Sequence, residues 1–248
     1  MANRSIKSIA SRIEDADGGP YVKLLVYGRN GAGKTRLCGS ASKCLIADVN
    51  EDGTRSVRGT GTKKFPVDRW ADIGDIYWYL KEGDHPYECV AIDTLTALNR
   101  LCLAMVLGEA EDRDPNREVG APDRRAYGRA GELMRAQLLA FRNLPMHVIF
   151  TAQERVIKDE DTDEPVLHCP DLPAGSRGIA MGAVGIIGRI YSQEVKLRNK
   201  ATKQVTTEWR DRMLVGPHEE YETKDRTYKL GSVVRNPNMR AIIAAWNS

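Results

Sequence analysis

Gly28-Arg29-Asn30-Gly31-Ala32-Gly33-Lys34-Thr35 sets three glycines, a lysine and a hydroxyl at the spacing G-x-x-x-x-G-K-[ST]. Glycines let a turn wrap its N–H groups around phosphate oxygens, while the lysine adds a point charge at the β and γ positions and the threonine reaches Mg²⁺. The expected contacts to ATP are Gly28, Asn30, Gly31, Ala32, Gly33, Lys34, Thr35 and Arg36. Asp93 closes the apolar run 88–93, placed either to hold the metal with Thr35 or to cap the helix that follows. Asp48, Glu51 and Asp52 follow the run 44–47. A carboxylate there either orients the attacking water, with Glu51 the candidate, or serves a turn. Gln153 ends the run 146–152, where its amide either touches the γ-phosphate or satisfies loop backbone.

Such groups act together only if strands deliver them to one place. Apolar runs at 21–27, 44–47, 65–67, 88–93 and 146–152 alternate with helical spacing at 34–42, 70–80, 95–107 and 123–143. That alternation predicts an α/β fold, a mostly parallel central sheet with helices on both faces. The phosphate motif then follows a strand and opens a helix, the context that gives it meaning. The segments 109–122 and 153–175 are polar and broken by proline and glycine, and are expected to be exposed loops. Strands at 189–197 and 206–214 and a helix at 238–246 form a small C-terminal β extension. Residues 1–20 are assigned to an N-terminal segment, 21–192 to the core, and 193–248 to the extension within the same domain.

Composition narrows the setting. With 42% hydrophobic and 29% charged residues in 248, the chain has the balance of a globular protein, and no apolar run nears the roughly 20 residues that cross a bilayer. The N-terminus lacks a secretory apolar stretch, so a cytoplasmic location and no membrane are expected. Five cysteines without a C-x-x-C pair read as reduced core thiols, and four scattered histidines, His168 beside Cys169 included, as loop or surface residues rather than metal ligands. Residues 176–248 carry 13 basic against 7 acidic side chains, a bias that fits either a polyanion partner or a solvated face.

GRNGAGKT, ADVNEDGT, CVAIDTLTAL and HVIFTAQE occur in an order that resembles the RecA-like recombinase core over residues 21 to about 192. NLPMHVIFTAQER and YETKDRTYKL are similar to phage-encoded RecA-like single-strand annealing ATPases, also known as phage nucleotide-binding AAA domain proteins. The resemblance implies a RecA-like P-loop NTPase fold, Glu51 as catalytic glutamate and Gln153 as the switch between nucleotide and DNA. It implies two DNA-facing loops, one with Arg113, Arg117, Arg124, Arg125 and Arg129, the other with Arg155, Lys158 and Arg177. Lys224 and Arg226 resemble a K-x-R element that acts in trans on a neighbour's nucleotide, which makes a ring or filament of identical subunits the expected assembly. Asp159, Glu160, Asp161, Asp163 and Glu164 depart from that pattern and confine DNA contact to the second loop's ends. Tyr127 is the lone aromatic in either loop, so binding is expected to be phosphate-driven and weakened by salt.

The expected function is an ATP- and Mg²⁺-dependent ATPase that binds single-stranded DNA and promotes annealing or strand exchange, with a single-strand-binding protein as a further partner. Two alternatives share the core: a ring translocase or helicase, and a nucleotide-gated loader or adaptor.

Overall fold

The computed structural model describes residues 19–49, 52–114, 118–198 and 204–248. Five strands build the parallel heart of the sheet: β1 (Lys23–Gly28), β2 (Cys44–Asp48), β3 (Lys63–Pro66), β4 (Cys89–Asp93) and β5 (His147–Lys158). β6 (Pro165–Pro170) turns back on β5, and β7 (Ile186–Arg198), β8 (Val205–Leu214), β9 (Lys224–Asp225) and β10 (Val233–Arg235) continue the sheet beyond β1. The order is β10-β8-β7-β1-β5-β4-β2-β3, with β6 on β5 and β9 on β7. All neighbours from β7 through β3 run parallel. Parallel pairing therefore brings Gly28 opposite Gln153 and Asp48 opposite Asp93 on one edge.

Alternation along the strands feeds two cores, as the pleat requires. Leu25, Tyr27, Val90, Ile92, Val148 and Phe150 face one side, under α2 (Trp70–Glu82), α3 (Leu95–Arg113), α4 (Arg124–Arg142) and α5 (Ala174–Ala183). Leu24, Val26, Ile46, Ala91 and Ile149 face the other, under α1 (Lys34–Cys38) and α6 (Met239–Trp246). The expected α/β class with helices on both faces is what the chain adopts. All five cysteines are buried free thiols.

Four sequence expectations are corrected. The helix expected at 34–42 stops at Cys38, where Gly39 caps it. The helix expected to end at 107 runs on to Arg113, because Glu109 to Arg113 are good helix formers and Arg113 pairs with Glu109 at 3.3 Å one turn back. Arg124, Arg125 and Arg129 then belong to α4, so the first loop shrinks to the tip of an antiparallel helix pair. The second loop is largely a β-hairpin, β5–β6, followed by α5. Its acidic run is the hairpin turn: the Asp159 carboxylate accepts the N–H groups of Asp161 and Thr162, and those bonds hold the group below the usual carboxylate range. His168 and Cys169 consequently lie in a strand and not in a loop.

Candidate functional site

β1 ends at Gly28, packed so closely on β7 that a Cβ there would run into the Ile190 carbonyl. Gly31 and Gly33 take φ of 76° and 100°, the left-handed region that glycine enters without strain. These positions bend the chain into α1, whose first residue, Lys34, is only 6% exposed. Its ammonium donates to the Gly28 carbonyl at 2.8 Å, the Arg29 carbonyl at 3.1 Å and Gln153 Oε1 at 2.9 Å. A cavity of about 870 Å³ opens over this turn, lined by Asn30, Gly31, Gly33, Lys34, Thr35 and Arg36 and closed from other segments by Gly53, Arg55, Asp93, Arg100 and Gln153.

Asp93 and Thr35 meet, as the spacing alone could not guarantee. Thr35 Oγ1 donates to Asp93 Oδ2 at 2.6 Å, and Thr151 Oγ1 donates to Oδ1 at 2.5 Å. Thr94, not Asp93, caps α3, accepting the Ala97 N–H at 3.2 Å. The carboxylate is thereby left to the site. A Cβ on Gly53 would stand 2.7 Å from Thr35 Oγ1 and 3.7 Å from Asp93 Oδ2, so a glycine keeps space open beside both oxygens. A hydroxyl and a carboxylate converging next to reserved space fit Mg²⁺, a hard cation that takes oxygen ligands and keeps several waters.

Gln153 ties this centre to the rest of the edge. Its N–H donates to Thr96 Oγ1 at 3.0 Å, its carbonyl accepts the Asp171 N–H at 2.8 Å, and Thr96 Oγ1 donates to the Asp171 carbonyl at 2.9 Å. The next residue, Glu154, has a side chain 2% exposed and takes Arg189 Nε and His168 Nδ1, both at 2.9 Å. Burial alone would push its carboxyl up, but the bonds and charges of Arg189 and His168 hold it below the ordinary 4.5. Arg189 in turn lies over the Tyr221 ring at 4.6 Å. Thr96, Thr151, Glu154, Arg189, Arg55 and Arg100 escaped the sequence reading. Thr96, Thr151 and Glu154 lay within the quoted motifs CVAIDTLTAL and HVIFTAQE, whereas Arg55, Arg100 and Arg189 lay outside any motif that could have flagged them.

The other predicted residues scatter. Glu51 and Arg117 lie outside the described residues. Arg36 forms an ion pair with Asp211 of β8 at 2.8 Å. Asp48 accepts Lys64 at 2.8 Å. Lys224 and Arg226 sit at the opposite edge, where β9 pairs with Ile186 and Ile187 at the start of β7; they touch no part of this chain's own phosphate cavity. Of the DNA-facing candidates, Arg113 and Arg129 both bind Glu109, Lys158 binds Asp163, and Arg177 donates to Cys169 Sγ. Arg124, Arg125 and Arg155 are exposed, with no ion pair among the described residues.

A glycine cradle at the end of β1, a buried lysine and a Thr–Asp pair on one edge of a mostly parallel sheet together define a nucleotide-binding P-loop domain. The chain belongs to the AAA domain family, whose model matches residues 21–227. No curated protein sequence matches it. Among solved structures, it is similar to a KaiC-like protein from Pyrococcus horikoshii OT3, with 11% identity, 87% of this chain and 89% of that one covered and a TM-score of 0.41. It is also similar to the flagellar accessory protein FlaH from Methanocaldococcus jannaschii, with 10% identity, 78% and 76% coverage and a TM-score of 0.36. Among the described residues no helix is long and apolar enough to cross a membrane.

Proposed function

We propose that the protein is a Mg²⁺-dependent ATPase that binds single-stranded DNA and promotes annealing or strand exchange. Lys34 would bind the β- and γ-phosphates, and Thr35 and Asp93 would hold Mg²⁺, whose charge offsets that of the phosphate oxygens. Glu51 is assigned the role of orienting the attacking water by its position after β2. The observation that carries the DNA reading is Gln153: its amide accepts from Lys34, while its backbone begins the β5–β6 hairpin that leaves the nucleotide edge. Loss of the γ-phosphate would change the lysine's partners and, through Gln153, the hairpin's footing. ATP turnover measured with and without single-stranded DNA tests this. Stimulation that Gln153→Ala abolishes while basal turnover persists is the expected result; no DNA binding by filter retention, with or without ATP, removes the recombination role.

A further inference from the structure

The edge of the sheet opposite the nucleotide carries a second large cleft, about 950 Å³, built from five stretches of chain separated in sequence. Its cations are Lys23 at the start of β1, Arg142 at the end of α4, and Arg226 and Lys229 in the turn after β9. Among the described residues no acidic side chain lines it, and none of the four forms an ion pair. The nearest carboxylates are engaged. Asp225 accepts Thr227 N–H, Thr227 Oγ1 and Leu230 N–H, and Glu88 accepts Lys43 at 2.6 Å. Lys23 donates instead to the Leu144 and Met146 carbonyls, at 2.8 and 2.7 Å. Burial, and after it the charge of the neighbouring Arg142, bring its pKa down to about 8.

Aromatic rings accompany these charges. Trp246 lines the cleft, its indole N–H donating to the Gly19 carbonyl at 3.0 Å, and Tyr21 lines it at 39% exposure. Tyr228, beside the cleft between its lining residues Thr227 and Lys229, is 89% exposed and has φ 57° in the turn whose Thr227 and Leu230 donate to Asp225. A left-handed aromatic residue with its ring in water costs stability on both counts, and such strain persists where the surrounding turn enforces it, often at binding sites. Exposed cations without an acidic partner among the described residues, with aromatic rings beside them, are the combination that takes a single nucleic-acid strand, phosphates on the cations and bases on the rings.

We infer that this cleft binds single-stranded nucleic acid, with Arg142, Arg226 and Lys229 on its phosphates and Tyr21 and Tyr228 on its bases. The inference rests on the DNA reading above and names a surface for it away from the nucleotide edge. A neighbouring subunit's triphosphate is a poorer fit. It would use the cations but not the rings, and Lys224, the first basic residue of the K-x-R element, is turned inward onto the Met181 carbonyl at 2.6 Å.

The test is fluorescence anisotropy of a labelled thymidine homopolymer with the full-length protein across a salt series, beside sedimentation of each variant. Arg142→Glu with Lys229→Glu should weaken binding about 100-fold and reduce the salt slope by about 1.4, as expected for two lost phosphate contacts to a single strand. Tyr228→Ala should weaken it about tenfold at unchanged slope, and Tyr228→Phe should restore it, because stacking releases no counterions. Normal binding by the cleft variants, with loss in Arg124→Glu/Arg125→Glu at the helix-pair tip, would overturn the cleft and leave the DNA reading standing. No binding by the unaltered protein would overturn both. Cleft variants that fall from oligomer to monomer with the salt slope unchanged would reassign the surface to a second copy of the chain.

Discussion

At the C-terminal ends of the strands, Lys34 is 6% exposed and Asp93 3%, and each is bonded to groups from other elements. At the N-terminal ends, Lys23 is half-buried against carbonyls while Arg142, Arg226 and Lys229 are exposed with no acidic partner among the described residues. The two ends share a sheet and both collect cations, but they handle charge differently. The nucleotide edge surrounds each charge with fixed dipoles before a ligand arrives, which limits reorganisation when the ligand binds. The opposite edge leaves Arg142, Arg226 and Lys229 in water, where they are screened by salt and available to a flexible polyanion.

The largest expected effect is at the preorganised end. Lys34→Ala should lower ATP turnover by about 100-fold or more, as loss of a buried charge-stabilising donor does; turnover that stays within a few-fold would erase the contrast between the two edges. Arg189→Ala removes the nearest cation from the buried Glu154 carboxylate, leaving it His168 and the more distant Arg29, and should cost about 3 kcal/mol of stability in urea unfolding. Glu154→Gln sharpens this with pH. The native carboxyl is held below the ordinary 4.5, so its stabilisation is complete above that value and is lost as the pH falls through the lower native one. The stability gap between variant and parent should therefore close in acid.

Smaller effects separate metal binding from helix capping. Gly53→Ala fills the space beside Thr35 and Asp93 and should raise the Mg²⁺ concentration for half-maximal turnover about tenfold, read from a Mg²⁺ titration. Thr94→Ala should cost only about 1 kcal/mol as a lost N-cap, seen in thermal or urea unfolding, with the Mg²⁺ requirement unmoved. A shifted Mg²⁺ requirement in Thr94→Ala would mean that cap and metal site are one unit after all.

The nucleotide edge was legible in the sequence to the extent that it is local. The turn 28–35 carries its instructions within eight residues, since each glycine and the lysine act on neighbouring backbone. Asp93 was legible as a candidate because a carboxylate ending an apolar strand stands out; its partner Thr151, 58 positions away, was not. The two misread loops show where local rules fail. Charged stretches such as Glu109 to Arg113 read as solvent-exposed, and Asp112 and Arg113 are, but exposure does not forbid a helix on which the charges pair. Acidic residues 159–164 likewise marked a turn correctly while hiding the strands on either side.

Sequence alone determined the phosphate turn, the alternation of strands and helices, and the face each core residue must take, because these follow from steps of two to four residues along one chain. Tertiary structure decided the rest. Which threonine meets Asp93, that Glu154 pairs with Arg189 and His168, and that four cations from three segments share a cleft with no acidic lining among the described residues depend on strand order and register, and contacts between distant segments leave no period in the sequence.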